Sequence, residues 1–360
     1  MAFTTTNPKS ASGKPSRVSQ GGLTFLLVWL LLMGLFFNIS AGVSNISLTD
    51  ILNTFQLKPF ALFDLPITDE LVNEINPIHN SIIWQLRLPR SLLAILAGGG
   101  LAVTGVVLQA VTRNALADPF LLGTSSGASL GAVMVIAHIG LFAGHYSLTI
   151  ASFLGSLLSL IFLFSLLSKT QNQTPDKIIL AGVAISFLLM AATNFLIYLG
   201  DQSTANAILF WMLGGLGRAQ WDNLLIPSII ISCTTLWLFW QAPILNALMM
   251  GSQSAHTLGI PVKRYQVMLL LSTGLITSVI VSLTGSIGFV GLVIPHILRH
   301  WVGGNNRHLI PLSFIAGAAF LLYMDLLART LSAPQELPIG ILSGGIGGAY
   351  FCYLILRKNN

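Results

Sequence analysis

The chain has 360 residues, 54% of them hydrophobic and only 8% charged, with a mean hydropathy of +0.81. A soluble domain carries about 25% charged residues, so a water-soluble fold is excluded and most of the chain belongs in lipid. The 17 Lys and Arg that set the net charge of +6 are scattered, which speaks for membrane topology and against a nucleic-acid surface.

A spanning helix needs roughly 20 apolar residues, because the hydrocarbon is about 30 Å thick and each residue rises about 1.5 Å. Residues 1–21 are polar and are expected to form a cytoplasmic tail, with one transmembrane domain over 22–358. The first apolar run, 22–40, follows so long a polar leader that an uncleaved anchor is favoured over a signal peptide. An outer loop is expected at 41–85. Further spans are expected near 90–110, 119–137, 147–168, 177–199, 224–240, 266–284, 286–298, 310–328 and 339–356, about ten in all. Cys233 and Cys352 lie within these apolar runs and suggest neither a disulfide framework nor a metal site. The run 286–298 is short and carries Gly288, Gly291 and Pro295 just after Gly285, so it reads as an extended segment followed by a half-helix. Broken backbone of that kind needs cover from protein or a cavity.

Loop charge sets the expected orientation. With both termini inside, 12 of the 17 basic residues fall on the cytoplasmic side, and of the 11 acids only Asp118 and Asp176 do. Arg87, Arg90 and Arg329 run against this bias, at the outer mouth beside spans. For a single Arg, snorkelling along lipid is the ordinary reading. Three at one face point to a docking surface for something acidic. Asp325 stands at i,i+4 to Arg329 and is expected to pair with it.

The longest inner loop, 241–265, reads as one or two short helices. Met249, Ala255 and Leu258 supply an apolar side, Gly259 a left-handed stop and Pro261 a block to continuation. It is a candidate for docking onto a cytosolic partner, the alternative being a helix lying on lipid. No G-x-x-x-x-G-K-[ST] occurs, so any ATP must be bound by another chain. AGGGLAVTG at 97–105 and SGGIGG at 343–348 read as close helix packing. GTSSG at 123–127 and GASLG at 127–131 match a nucleophile-elbow pattern, but on a membrane helix. Ser125, Ser126 and Ser129 lack an evident His partner among His138, His145 and His296. His296 and His300 at i,i+4 are a minor metal-site candidate with no accompanying carboxylate or thiol. The spans hold almost no ionisable residue, which argues against ion-coupled transport.

RLPRSLLAILAGGGLAVTGVVLQAVTRNALADPFLLGTSSGASLGA, AGVAIS, WMLGGL, SAHTLGIPVKR, GSIGFVGLVIPHILRH, MDLLART and ELPIGILSGGIGGAYF occur in that order from about residue 80 to the C-terminus. Together they resemble the permease subunits of ABC importers for iron–siderophore complexes, haem and vitamin B12. The resemblance implies an all-α integral membrane subunit of about ten helices, in a bacterial inner membrane, without catalytic chemistry or cofactor of its own. Such a subunit dimerises, with a second copy or a related permease, around a central path. Two cytoplasmic ATPase subunits and a periplasmic binding protein complete the assembly. By the same resemblance Arg87, Arg90 and Arg329 dock the binding protein, and Ala255, His256, Leu258 and Gly259 belong to the coupling loop. Asn114, Leu116, Asp118 and Pro119 belong to an inner-gate turn, NALADP, in which Ala115 replaces a usual proline. Segment 56–80 is longer than typical, as a periplasmic elaboration or as an added contact with the binding protein. Ferric siderophores are the commonest cargo of the resembled family, with haem and cobalamin open. A permease for bare metal ions and an intramembrane serine hydrolase are the rival readings.

Overall fold

The computed structural model describes residues 20–42, 46–62, 76–170 and 174–358. The polar tail up to residue 19 and residues 63–75, in the middle of the segment expected to be periplasmic, lie outside them. Every regular element among the described residues is a helix, with no strand. The helices are α1 (Gln20–Ser40), α2 (Leu48–Leu62), α3 (Pro77–Thr112), α4 (Thr124–Ile139), α5 (Ser147–Ser168), α6 (Pro175–Leu199), α7 (Ala205–Leu213), α8 (Leu225–Trp240), α9 (Ala242–Met249), α10 (Ser252–Thr257), α11 (Val262–Thr284), α12 (Val290–Val302), α13 (Asn306–Thr330) and α14 (Ile339–Lys358).

Each of the ten expected spans carries a helix, but among the described residues only eight helices are long and apolar enough to cross a membrane. The exceptions are α4 and α12. The segment expected at 119–137 opens instead with a 3₁₀ turn, Pro119–Leu122, and α4 starts only after Gly123, whose φ of +77° breaks the run. The stretch 41–85, expected as an outer loop, holds α2 and the first turns of α3, which pass through a π-helical turn at Ile82–Arg87.

Helices α3, α11 and α13 form the centre, and α8 and α14 lie outside. In the most apolar 18 residues of α3, 83% are buried, against 17% for α8 and for α14. Glycine explains why α3 can be central. A Cβ on Gly98 would lie 2.2 Å from the Gly317 carbonyl oxygen, and one on Gly105 would lie 1.7 Å from that of Gly291. Backbones of α3, α13 and α12 therefore touch, the packing expected of small residues in lipid. The second cluster behaves differently: Gly347 accepts the Phe289 ring, whereas Gly345 and Gly348 meet nothing within 4 Å.

The break before α12 is present as the sequence implies. Chain 285–289 is non-helical, and Phe289 takes a left-handed φ of +70° at the start of α12. Its backbone is covered by protein. Gly215 N–H donates to the Thr284 carbonyl at 2.8 Å, and Ile339 N–H donates to the Gly214 carbonyl at 3.0 Å. The half-helix α7 brings Gly214 there. Its nine residues fall far below spanning length, so the sequence reading leaves it within a connection.

Candidate functional site

Two sites lie at opposite ends of α3. At its N-terminal end, α1 stops at Ser40 and leaves its last carbonyls without helical partners. Two guanidinium groups take them. Arg87 Nη1 donates to Ile39 O at 2.6 Å and Ser40 O at 2.8 Å. Arg329 Nη2 donates to Asn38 O at 2.9 Å and Asn38 Oδ1 at 2.7 Å, and its Nη1 reaches Ala41 O at 3.3 Å. Cations at a helix C-terminus also sit well in the helix dipole. Asn38 is itself buried, donating from Nδ2 to Leu322 O at 2.9 Å and accepting from Ser91 Oγ at 3.1 Å. Gly42 leaves the room required, since a Cβ there would meet Arg87 Nη2 at 2.6 Å.

Asp325 is the centre of charge. It is fully buried and accepts from Arg90 Nε at 2.8 Å. Its second oxygen lies 3.2 Å from Arg329 Nε, the expected i,i+4 ion pair. Arg90 Nη1 turns the other way, to both oxygens of Glu336 at 2.8 and 2.9 Å. The three arginines thus come together, around a cavity of about 390 Å³ whose wall also includes Gly217 and Glu336. Arg90 is partly buried at this cavity, and the other two are buried. Arg87 and Arg329 are 5% and 7% exposed and point into protein, not along lipid. Asn38 and Glu336 were not singled out from sequence. Glu336 stands at the head of ELPIG, but nothing local tells that it faces Arg90.

At the other end, the turn after α3, the start of α6 and the loop before α11 line an open cleft of about 910 Å³. Arg113, His256, Lys263 and Arg264 give it basic walls. The loop 241–265 is two helices, α9 and α10, divided at Gly251 with φ +116°. Gly259 closes α10 with φ +77°: its N–H donates to His256 O at 2.9 Å, and Ile260 N–H reaches back to Ala255 O at 3.1 Å. Ala255 is buried, while His256 and Leu258 are exposed, so Leu258 does not share the buried side with Ala255.

The NALADP turn lies beside this loop. Arg113 adopts φ +49° to end α3, and a Cβ on Gly251 would be 3.7 Å from its Nη1. Asn114 Oδ1 accepts from Leu116 N–H at 2.9 Å, and Asp118 Oδ1 caps the 3₁₀ turn by accepting from Phe120 N–H at 2.8 Å. Leu116 is exposed; Pro119 is buried against Gly291 of α12. Burial pushes the Asp118 carboxyl up to about 6, the Phe120 N–H opposing the shift.

The hydrolase reading finds no geometry. Ser125 Oγ pairs with Ser286 Oγ at 2.5 Å, His138 Nε2 contacts Leu196 O at 2.9 Å, and His296 packs against Tyr350 and Phe351. Among the described residues no group of three His, Cys, Asp or Glu stands together, so His296 and His300 have no third ligand there.

The hemin transport system permease protein HmuU of Yersinia pestis is 40% identical over 290 residues, 79% of this chain and 86% of that protein. The vitamin B12 import system permease protein BtuC of Klebsiella pneumoniae is 36% identical over 279 residues, 77% of this chain and 82% of that one. A solved metal-chelate type ABC transporter in an inward-facing conformation superposes with a TM-score of 0.79 at 29% identity, covering 94% of this chain and 99% of that one. PsaBC from Streptococcus pneumoniae, in complex with a Fab, shares the fold at a TM-score of 0.51 and 15% identity, over 73% of this chain and 89% of that one. The FecCD transport family profile matches residues 30–357, and the chain belongs to that family, as a multi-pass membrane permease of the ABC importer type.

Proposed function

We propose that this permease moves a metal chelate, foremost an iron–siderophore complex, from periplasm to cytoplasm, with haem and cobalamin the alternative cargoes. The arginine end faces the periplasm and receives a binding protein. The end bearing α9, α10 and the NALADP turn faces two ATPase subunits, and a second permease chain completes the path. The observation that carries this reading is the pair of unlike ends. One gathers Arg87, Arg90 and Arg329 around a cavity; the other offers a firmly capped helix with exposed His256 and Leu258 beside a basic cleft. No covalent chemistry is assigned to the chain. ATP binding by the partner moves α10, and through the Arg113–Pro119 turn shifts α3 and α12 against each other. Charge complementarity steers the delivery protein onto the arginine end.

The test is uptake by proteoliposomes holding the permease and its ATPase, supplied with candidate binding proteins and labelled ferric siderophore, haemin or cobalamin. ATP- and binding-protein-dependent uptake of one cargo supports the reading. Uptake without an ATPase, or residue 87 mapped to the cytosol, overturns it.

A further inference from the structure

We infer that Glu336 is an internal stand-in for a carboxylate of the delivery protein, and that docking proceeds by carboxylate exchange on Arg90. The inference rests on the function proposed above and goes beyond it, since it divides the three arginines between two tasks.

Arg87 and Arg329 are committed. Between them they donate to four successive carbonyls, Asn38 to Ala41, and both are buried. Drawing either outward would strip the end of α1 of its acceptors' partners and leave buried carbonyls unpaired. They are positioning residues that hold α1 to α3 and α13. Arg90 differs. One side of its guanidinium is fixed by buried Asp325, while the other side holds Glu336, whose side chain is 50% exposed.

The Glu336 contact has a displaceable form. A single nitrogen, Nη1, serves both carboxylate oxygens at 2.8 and 2.9 Å, whereas the strong Arg–carboxylate arrangement uses two parallel N–H bonds. The Glu336 side of the pair is open to water and salt, which screen it. The loop carrying Glu336 is tied down by Leu337 N–H to Ala328 O at 2.9 Å and Gln335 N–H to Ser332 O at 3.0 Å. Exchange therefore needs only the Glu336 side chain to swing. Access is open above the pair: Gly217 lies on the cavity wall, exposed, and a Cβ there would only reach ordinary contact with Glu336 Oε2 at 3.6 Å and Arg90 Nη1 at 3.8 Å. Arg218, exposed, follows it. The cluster of Arg87, Arg90 and Arg329 against Asp325 and Glu336 carries one net positive charge. A visiting Asp or Glu that displaces Glu336 meets a surface of two, and this is the chemistry of the partner.

The permease in nanodiscs is titrated at low salt with a binding protein that supports its uptake, using Glu336→Gln, Arg90→Lys and the double variant. Glu336→Gln is expected to bind about two- to five-fold tighter, the range released by removing an exposed ion pair. Arg90→Lys keeps charge but not the fork, and is expected to bind more weakly. In its background the Glu336→Gln gain should vanish, because the two residues share one contact. A gain that persists in the Arg90→Lys background reports general charge neutralisation and overturns exchange. So does Glu336→Gln binding that equals or falls below wild type. No association even by the wild-type chain at low salt defeats the proposed function itself, and is distinguishable for that reason.

Discussion

Removing the Asp325 carboxylate should destabilise the permease by about 3 kcal/mol, because it leaves partly buried Arg90 and buried Arg329 facing each other. The carboxylate is wholly buried, 2.8 Å from Arg90 Nε and 3.2 Å from Arg329 Nε. At an effective dielectric of 20, each such contact carries roughly 5–6 kcal/mol of Coulomb attraction. Desolvation of the ions offsets much of this, several kcal/mol per ion, and loss of one buried partner costs about 3–5 kcal/mol in measured cases. The lower end applies here. Arg90 keeps Glu336, and Arg329 keeps Asn38 and Ala41. Asp325→Ala should therefore melt several degrees lower in nanodiscs, with α1 released first, seen as faster hydrogen exchange over residues 37–42. Asp325→Asn, which retains an acceptor without charge, should fall between the two. Melting and exchange equal to wild type for Asp325→Ala would refute the claim that this carboxylate holds the cluster together.

Close helix contact gives a second expectation. Gly105→Ala places a methyl 1.7 Å from the Gly291 oxygen and should cost about 1–3 kcal/mol or more, with lost uptake, while Gly345→Ala meets open space and should change the melt little. Asp118 makes stability pH-dependent. Its carboxyl titrates at about 6 against an ordinary 3.8, so its contribution is fully present below about pH 4 and lost as pH rises through about 6. The loss is at most about 3 kcal/mol at about 1.36 kcal/mol per pH unit. Asp118→Asn retains an N-cap acceptor and should flatten melting temperature between pH 4 and 7. Gly259→Ala forces φ +77° on an L-residue and should fray α10 at a cost of about 1–2 kcal/mol. ATPase stimulation should drop with little change in the melt of the spans; unaltered stimulation would remove α10 from the coupling path.

Much of the architecture was legible in the residues alone. Spanning helices announce themselves by apolar length, because lipid forces every backbone group to be satisfied within its own segment. Glycine at 98 and 105 foretold close packing, Gly285 to Pro295 foretold a broken span, and Gly259 with Pro261 foretold a capped helix. Each of these is a local signal, set by hydropathy over one segment or by one residue's allowed φ. The Asp325–Arg329 pair was equally local, at one helical turn.

The rest depended on what the fold brings together across the chain. That Arg87 and Arg329 turn inward to the carbonyls of α1 follows from α1, α3 and α13 meeting, over separations of 48 and 291 residues. Charge and position beside a span describe a buried helix-capping arginine and an exposed docking arginine in the same way. α7 and the role of Glu336 were hidden for the same reason: nine apolar residues and one loop carboxylate acquire meaning only from the broken backbone and the guanidinium that tertiary packing sets against them.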